Sequence, residues 1–342
     1  MKILIVGSDE VYSIERFYET HLLNAGINVD KFPAQSIFYA YYQSSIINKV
    51  LFKAGLSAIT KSINQQFKQK VESSKPDVIW VFKGMEILPS SLEWARKLSI
   101  KLVNYNPDNP FIFTGKGSGN SNVTDSIALY DLHFTYNFAI KNELEERFQS
   151  RVSYLPFGYE LPAGIQQECR EQTEVIKCCL LGNPDQDRAN LIQELAEKGV
   201  EIDLFGNQWN KFVSHHGITI FPAVYNNDFW KVLYRYRIQL NIMRVHNLLS
   251  HNMRTFEVPG IGGIQLAPDT PEHRLFFTPG KEIYLYKEVA DCVGYIERIL
   301  SLSAEQASEI RNNAQVRCIQ SGYSYQNRTL QALNVLKEVL HD

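Results

Sequence analysis

No apolar run in these 342 residues approaches the roughly 20 residues that a bilayer core requires, so any membrane contact is expected to be peripheral. The opening Met1-Lys2-Ile3-Leu4-Ile5-Val6 is too short for the apolar core of a signal peptide and runs directly into Gly7-Ser8-Asp9-Glu10, which points to a cytoplasmic location. An excess of one charge is missing as well. Lys and Arg number 35 against 37 Asp and Glu, a net charge of −2, and nothing electrostatic favours nucleic acid as a partner. Cysteine is sparse: five residues, an odd number, without C-x-x-C spacing. Cys178 and Cys179 lie inside an apolar run, so reduced buried thiols are expected, not a disulfide frame or a zinc site. Two phosphate-binding motifs are absent too. Lys116 is followed by Gly117 where a P-loop needs Ser or Thr, and only Gly7-Ser8-Asp9, not G-x-G-x-x-G, follows the first strand-like run. A P-loop ATPase and a dinucleotide-dependent dehydrogenase are thereby disfavoured.

What is present is alternation. With 44% hydrophobic and 21% charged residues, a chain of this length is expected to form two ordinary globular domains. Apolar runs at 2–6, 27–29, 76–84, 101–105, 132–136 and 152–156 read as strands. Helical patterns fall between them at about 12–25, over a long amphipathic stretch at about 44–72, at 91–98, and up to Phe148. Pro and Gly gather at Leu155 to Gly164, followed by a polar stretch to Thr173, and the alternation then restarts. Further strands are expected at 175–181, 200–205, 217–221, 238–242, 263–267 and 283–286, and the end reads as three helices, 289–300, 304–320 and 325–340. The expected fold class is α/β with two Rossmann-like open parallel sheets in series, spanning 1–160 and 161–324, a ligand lying in the cleft where their carboxyl edges face.

The segment Ser250 to Gly263 carries the chemistry. Asn252 suits the N-cap of a short helix, so the backbone N–H groups of Met253, Arg254 and Thr255 would present positive partial charge, with Arg254 adding a full one. Glu257, one turn on, offers a carboxylate suited to a vicinal diol, and Gly260, Gly262 and Gly263 keep the next turn tight. Phosphate in front and ribose behind outline a nucleotide. The same Arg and Glu, three apart, also suit a solvated ion pair.

Taken with its surroundings, this segment resembles the C-terminal domain of group 1 glycosyltransferases in the spore-maturation CgeB-like subgroup, within the GT-B fold. The matching pieces are Gly182 through Arg188 before a helix, Leu204-Phe205-Gly206-Asn207-Gln208-Trp209, Asn252-x-Arg254-x-Phe256-Glu257, and Gly280-Lys281-Glu282-Ile283. The first half is similar more loosely, through Asn106-Pro107-Asp108-Asn109-Pro110 and the Leu155-Pro156-x-Gly158 linker. The resemblance implies two facing domains, an N-terminal acceptor-binding one and a C-terminal nucleotide-sugar-binding one, with helix 325–342 crossing back onto the first. It further implies that Glu257 holds the donor ribose, and that the helix start at Asn252 with Arg254 holds the diphosphate. Gly182 and Arg188 would supply a second nucleotide contact, and the segment holding Phe221 and Val224 would border the base. The expected activity is sugar transfer from a nucleotide donor, UDP- or GDP-type, to a carbohydrate or glycolipid hydroxyl in polysaccharide or glycoconjugate assembly, without a metal or other cofactor.

One position departs from the pattern. Many retaining relatives carry Glu-x7-Glu, and the first Glu is here Leu249, so the sugar contact would fall to His251 or Asn252 and the stereochemical outcome stays open. An inverting reaction needs a base, for which Asp108 and His133 stand near carboxyl ends of first-domain strands; a turn role for Asp108 and core packing for His133 are the alternatives. Asp185-Gln186-Asp187 resembles a metal-binding D-x-D motif but reads as a solvated helix start. Gly115 to Asn122 suits an acceptor cradle or a lid, and Phe38 to Tyr42 suits a sugar-stacking or lipid-facing surface, or plain packing. A non-hydrolysing sugar-nucleotide epimerase and a catalytically silent sugar-nucleotide-binding partner are the competing functions.

Overall fold

The computed structural model describes residues 1–113, 118–244 and 249–341. They form two compact units, Met1–Pro156 with Tyr325–Asp342, and Phe157–Ser324.

In the first unit the chain runs β1 (Lys2–Val6), α1 (Ile14–Asn24), β2 (Asn28–Phe32), α2 (Ala34–Ser44), α3 (Ile46–Lys53), α4 (Ile59–Ser74), β3 (Val78–Phe82), α5 (Pro89–Arg96), β4 (Lys101–Tyr105), α6 (Ser121–Asp125), β5 (Leu132–Thr135), α7 (Phe138–Phe148) and β6 (Val152–Tyr154). The strands pair in the order β2-β1-β3-β4-β5-β6, all parallel. Helices on both faces bury the central strands completely, which is why β3 reads as an unbroken apolar run, Val-Ile-Trp-Val-Phe, without alternation. Ile79 and Val81 pack with Ile63, Phe67 and Leu92, an apolar layer beneath α4 and α5. Trp80 meets Tyr18 of α1 at 4.9 Å and Phe134 of β5 at 5.4 Å.

The amphipathic stretch expected at 44–72 is divided into two helices, α3 and α4, and helix begins earlier, with α2 at Ala34. Ser45 breaks the run: its backbone is extended, and its hydroxyl accepts from Asn48 N at 3.0 Å to cap α3. Gly55 then turns the chain out of α3 in the left-handed region, φ +72°.

The second unit holds α8 (Ile165–Arg170), β7 (Val175–Leu181), α9 (Gln186–Glu197), β8 (Ile202–Phe205), β9 (Ile218–Phe221), α10 (Asn226–Arg235), β10 (Tyr236–Leu240), α11 (Arg254–Ile261), β11 (Gln265–Pro268), α12 (Pro271–Phe276), β12 (Tyr284–Tyr286), α13 (Val289–Leu300) and α14 (Ala304–Gln320). Its sheet is again six-stranded and parallel, in the order β12-β11-β10-β7-β8-β9. The polar stretch after Gly164 is helical because Ile165 and Cys169, four apart, share a buried face. A final helix, α15 (Tyr325–His341), belongs to the first unit, where the Tyr325 ring packs against Phe17 at 4.9 Å and edge-on to Tyr18 at 5.7 Å.

The α/β class with two Rossmann-like parallel sheets is therefore as expected. The strand order of the second unit fixes where a ligand would be held. From β7 the chain builds outward through β8 and β9, then returns past β7 to build β10, β11 and β12 on the other side. The loops leaving β7 and β10 therefore diverge, opening a crevice at their carboxyl ends.

Candidate functional site

The floor of that crevice is backbone. Gly182 leaves β7 and Gly206 leaves β8, and the two loops touch: a Cβ on Gly206 would lie 2.2 Å from the Gly182 carbonyl oxygen. Trp209, fully buried, donates its indole N–H to the same oxygen at 2.7 Å. Only glycine fits at position 206, and that is the physical content of the Leu204-Phe205-Gly206-Asn207-Gln208-Trp209 motif.

Across the crevice stands the start of α11. Asn252 does cap it: its Oδ1 accepts from Thr255 N at 3.1 Å, and Thr255 Oγ1 accepts from Asn252 N at 3.2 Å, a reciprocal box. One expectation changes, because the Thr255 N–H is consumed by this cap. The N–H groups of Met253 and Arg254 are the ones left without a partner among the described residues. Asn241, at the exit of β10, locks the cap in place through its own side-chain amide. Behind it, buried His273 donates from Nδ1 to Pro268 O at 2.7 Å and accepts from Thr255 Oγ1 at Nε2, 3.0 Å away. Burial holds the His273 pKa down to about 4, so the ring stays neutral and keeps this tautomer. At the far end Gly262 takes φ +90°, and Gly263 N donates to Val258 O at 2.7 Å, closing the helix.

Three arginines converge here. Arg188, on α9, donates from Nε and Nη2 to Ile242 O at 3.1 and 2.8 Å and from Nη1 to Asn183 O at 3.2 Å, tying the loops that leave β7 and β10 together. Burial and the nearby charge of Arg244 lower its pKa to about 10; Asp185 opposes this, and Arg254 adds to it. The guanidinium of Arg254 lies 4.5 Å from the Phe229 ring centroid, pairs with Glu257 and reaches Leu181 O at 3.4 Å. Glu257 is largely buried, which raises its carboxyl pKa, while Arg254 pulls it down. The Arg254–Glu257 pair is therefore a sheltered one and not the solvated pair that the spacing alone also allowed. Asp185 accepts from Arg188 N at 3.0 Å as the cap of α9 and lies 3.7 and 3.9 Å from Arg188 and Arg244. Its charge is answered by the chain's own cations, which is the helix-start role.

The structure thus gathers Gly182, Arg188, Asn252, Arg254 and Glu257 at one crevice. Phe221 ends β9 at the flank, stacked on Phe205 at 4.8 Å, with Val224 half-buried just beyond it. His251 is placed differently. It is fully buried, with Nδ1 on Glu272 and Nε2 accepting from Phe157 N at 3.2 Å, so its ring faces the core and not the crevice. Ser250 donates to the same Glu272 carboxylate at 2.6 Å. His251 thereby sets the loop that leads into α11.

In the first unit, Asp108 follows β4 in an Asn-Pro-Asp turn and forms an ion pair with Lys83 Nζ at 2.5 Å. His133 lies within the core on β5, 3% exposed, donating from Nε2 to Ile127 O at 2.9 Å, and burial holds its pKa down to about 4. That geometry is the packed-histidine alternative. Of the glycine-rich stretch, Gly115, Lys116 and Gly117 lie outside the described residues; Asn120 and Asn122 both donate to Met85 O, at 2.9 and 2.8 Å.

Arg244, Asn241 and Phe229 are the site residues that the motifs do not reveal. Arg244 follows the expected strand with no pattern around it; position after the switch-point strand is the one signal that could have marked it.

A family model described as glycosyl transferase-like matches residues 188–334, the span that carries Arg188, Arg244, Asn252, Arg254 and Glu257. The fold agrees over the whole chain. Sucrose-phosphate synthase from Thermosynechococcus elongatus superposes with a TM-score of 0.67 at 10% identity, covering 100% of this chain and 99% of that one. A glycosyltransferase from Rickettsia africae gives 0.65 at 12% identity, with 99% and 98% covered. The chain has the GT-B fold, and its residues 188–334 match a glycosyl transferase-like family. The Anabaena protein HepE, solved in complex with UDP-glucose, gives 0.63 at 12% identity, with 99% and 100% covered. No curated protein matches this chain by sequence.

Proposed function

We propose that the enzyme takes its sugar from a nucleoside diphosphate donor held in the second unit and passes it to a hydroxyl of a carbohydrate or glycolipid acceptor. The observation that carries this is the convergence of Arg188, Arg244 and Arg254 on the switch-point crevice beside the capped start of α11. When the bond between the anomeric carbon and the diphosphate breaks, the electron pair stays on the diphosphate. Fixed cations and the N–H groups of Met253 and Arg254 stabilise that charge more than they stabilise the intact donor. The chain's own arginines supply the neutralising charge, the basis for reading the transfer as metal-independent. Glu257, with one carboxylate oxygen on Arg254, would receive the ribose hydroxyls, and the segment from Phe221 to Val224 would border the base. The resemblance to the CgeB-like subgroup supports a role in surface polysaccharide or glycoconjugate assembly in the cytoplasm; HepE, bound to UDP-glucose, favours a UDP donor.

The test is calorimetric titration with UDP, GDP, ADP, CDP and dTDP in EDTA, on wild type and on Glu257→Ala. One diphosphate should bind clearly tighter and weaken in the variant; binding by none would overturn the assignment. Turnover of the matching donor sugar without any acceptor would instead identify an epimerase. A silent binding partner is the second reading, favoured by Leu249, 73% exposed where retaining relatives place a sugar-contacting Glu. Binding with neither transfer nor donor hydrolysis across a broad acceptor panel would select it.

A further inference from the structure

We propose that the outward face of α3, with the turn after it, is a docking surface for an anionic lipid bilayer. Helix α3 buries none of its residues. Ile46, Ile47 and Val50 are 79%, 70% and 58% exposed, and Leu56, just beyond the helix, is 75% exposed. At about 100° per residue, Lys49, Lys53, Ile46, Val50 and Ile47 follow one another around a single arc, an apolar strip with lysines along one border. The opposite side of α3 is occupied. Phe52 packs on Phe38 at 4.8 Å and on Tyr42 at 5.8 Å, and Asn48 Nδ2 donates to Tyr41 O at 3.1 Å. The aromatics of α2 therefore serve as a mount that holds the apolar strip away from the unit.

Charge decides the occupant. Between Lys31 and Val71 the chain has no Asp or Glu, and while Lys31 and Lys70 at its ends pair with Asp9, Glu19 and Asp30, Lys49, Lys53, Lys61 and Lys68 between them add four positive charges to this face in a protein whose acids outnumber its bases, 37 to 35. A second copy would set one lysine-edged strip against another. A layer of anionic headgroups instead pairs with the lysines while the isoleucines and Leu56 enter the acyl boundary. Such a foothold lies on the membrane; no helix of the described residues is long and apolar enough to cross one. The inference does not depend on the donor site.

The purified full chain would be cosedimented with vesicles of phosphatidylcholine alone and of equal parts phosphatidylcholine and phosphatidylglycerol, at low and high salt. Binding is expected to the anionic vesicles only, and to weaken with salt. Lys49→Gln and Lys53→Gln should each weaken it roughly fivefold, and Ile46→Ser with Ile47→Ser should abolish it. Because Ile46, Ile47 and Lys53 are exposed, their variants should melt with wild type and bind nucleotide unchanged. Failure to sediment with either vesicle, or equal binding to both with the lysine variants unaffected, would overturn the proposal. So would light scattering that shows a wild-type dimer turned monomeric by the isoleucine pair, which would assign the face to a second copy.

Discussion

Asn252 and Asn241 exchange two side-chain hydrogen bonds, 2.8 Å from Asn252 Nδ2 to Asn241 Oδ1 and 3.1 Å in return. One amide comes from the exit of β10 and the other from the entry to α11, so the pair fixes the helix start relative to the strand edge. Asn252→Ala removes both these bonds and the cap on Thr255. It should cost about 1–2 kcal/mol of stability, read from the denaturant midpoint, and should weaken nucleoside diphosphate binding. Stability lost with affinity intact would show that α11 is not the phosphate seat.

Substitutions at Arg188 and Arg244 should separate binding from folding. The Arg244 side chain is 53% exposed and lies 3.9 Å from Asp185, so Arg244→Ala should change stability by no more than about 0.5 kcal/mol. Calorimetry should nevertheless show nucleoside diphosphate affinity falling about tenfold, the loss of one charge-assisted contact. Arg188→Ala should lower both quantities, since it strips the donors from Ile242 O and Asn183 O. Unaltered affinity in Arg244→Ala would remove that residue from the site.

Gly260 lies against Tyr159, where an added Cβ would approach the ring to 2.8 Å. Gly260→Ala should destabilise the second unit by about 1–3 kcal/mol through overpacking. Adding Tyr159→Leu should recover part of that loss in thermal melts. If the double variant melts no higher than the single one, the steric account is wrong.

Acid should destabilise the protein through His133 and His273. Both have folded pKa values lowered to about 4 by burial, against 6.5 for the free side chain. Below about pH 6.5 the unfolded chain takes up protons that the folded chain refuses, so stability present above 6.5 is lost as pH falls toward 4, roughly 2–4 kcal/mol for each ring. Glu86, whose pKa burial pushes up to about 7, acts in the opposite direction: its contribution is fullest at low pH and declines as pH rises from 4.5 through 7. The difference between wild type and His133→Gln isolates one histidine. An identical slope in both would refute its share.

The strands and the three closing helices were legible because each is a burial pattern written locally: Val78–Phe82 can be nothing but a doubly covered strand. The break at Ser45 was less so, since 44–72 is amphipathic throughout and the contacts of Phe52 with Phe38 and Tyr42, which show that the chain has doubled back, are made in three dimensions. At the site, Asn252 was readable as a cap because capping is a local interaction. His251 was not readable as a core residue, because the Glu272 that engages it arrives 21 residues later on α12. Arg244 escaped notice because its importance comes from where β10 ends and not from its neighbours in sequence.

All five cysteines, Cys169, Cys178, Cys179, Cys292 and Cys318, are buried, and all fall within Phe157–Ser324. Burial raises the Cys169 thiol to about 11 and Cys292 to about 12, and lifts Cys178 and Cys179 well above their ordinary range, so little thiolate is presented to solvent. The first unit has no sulfhydryl at all. An alkylating reagent is thus a built-in clock for one half of the molecule: its uptake times the opening of the second unit and stays blind to the first.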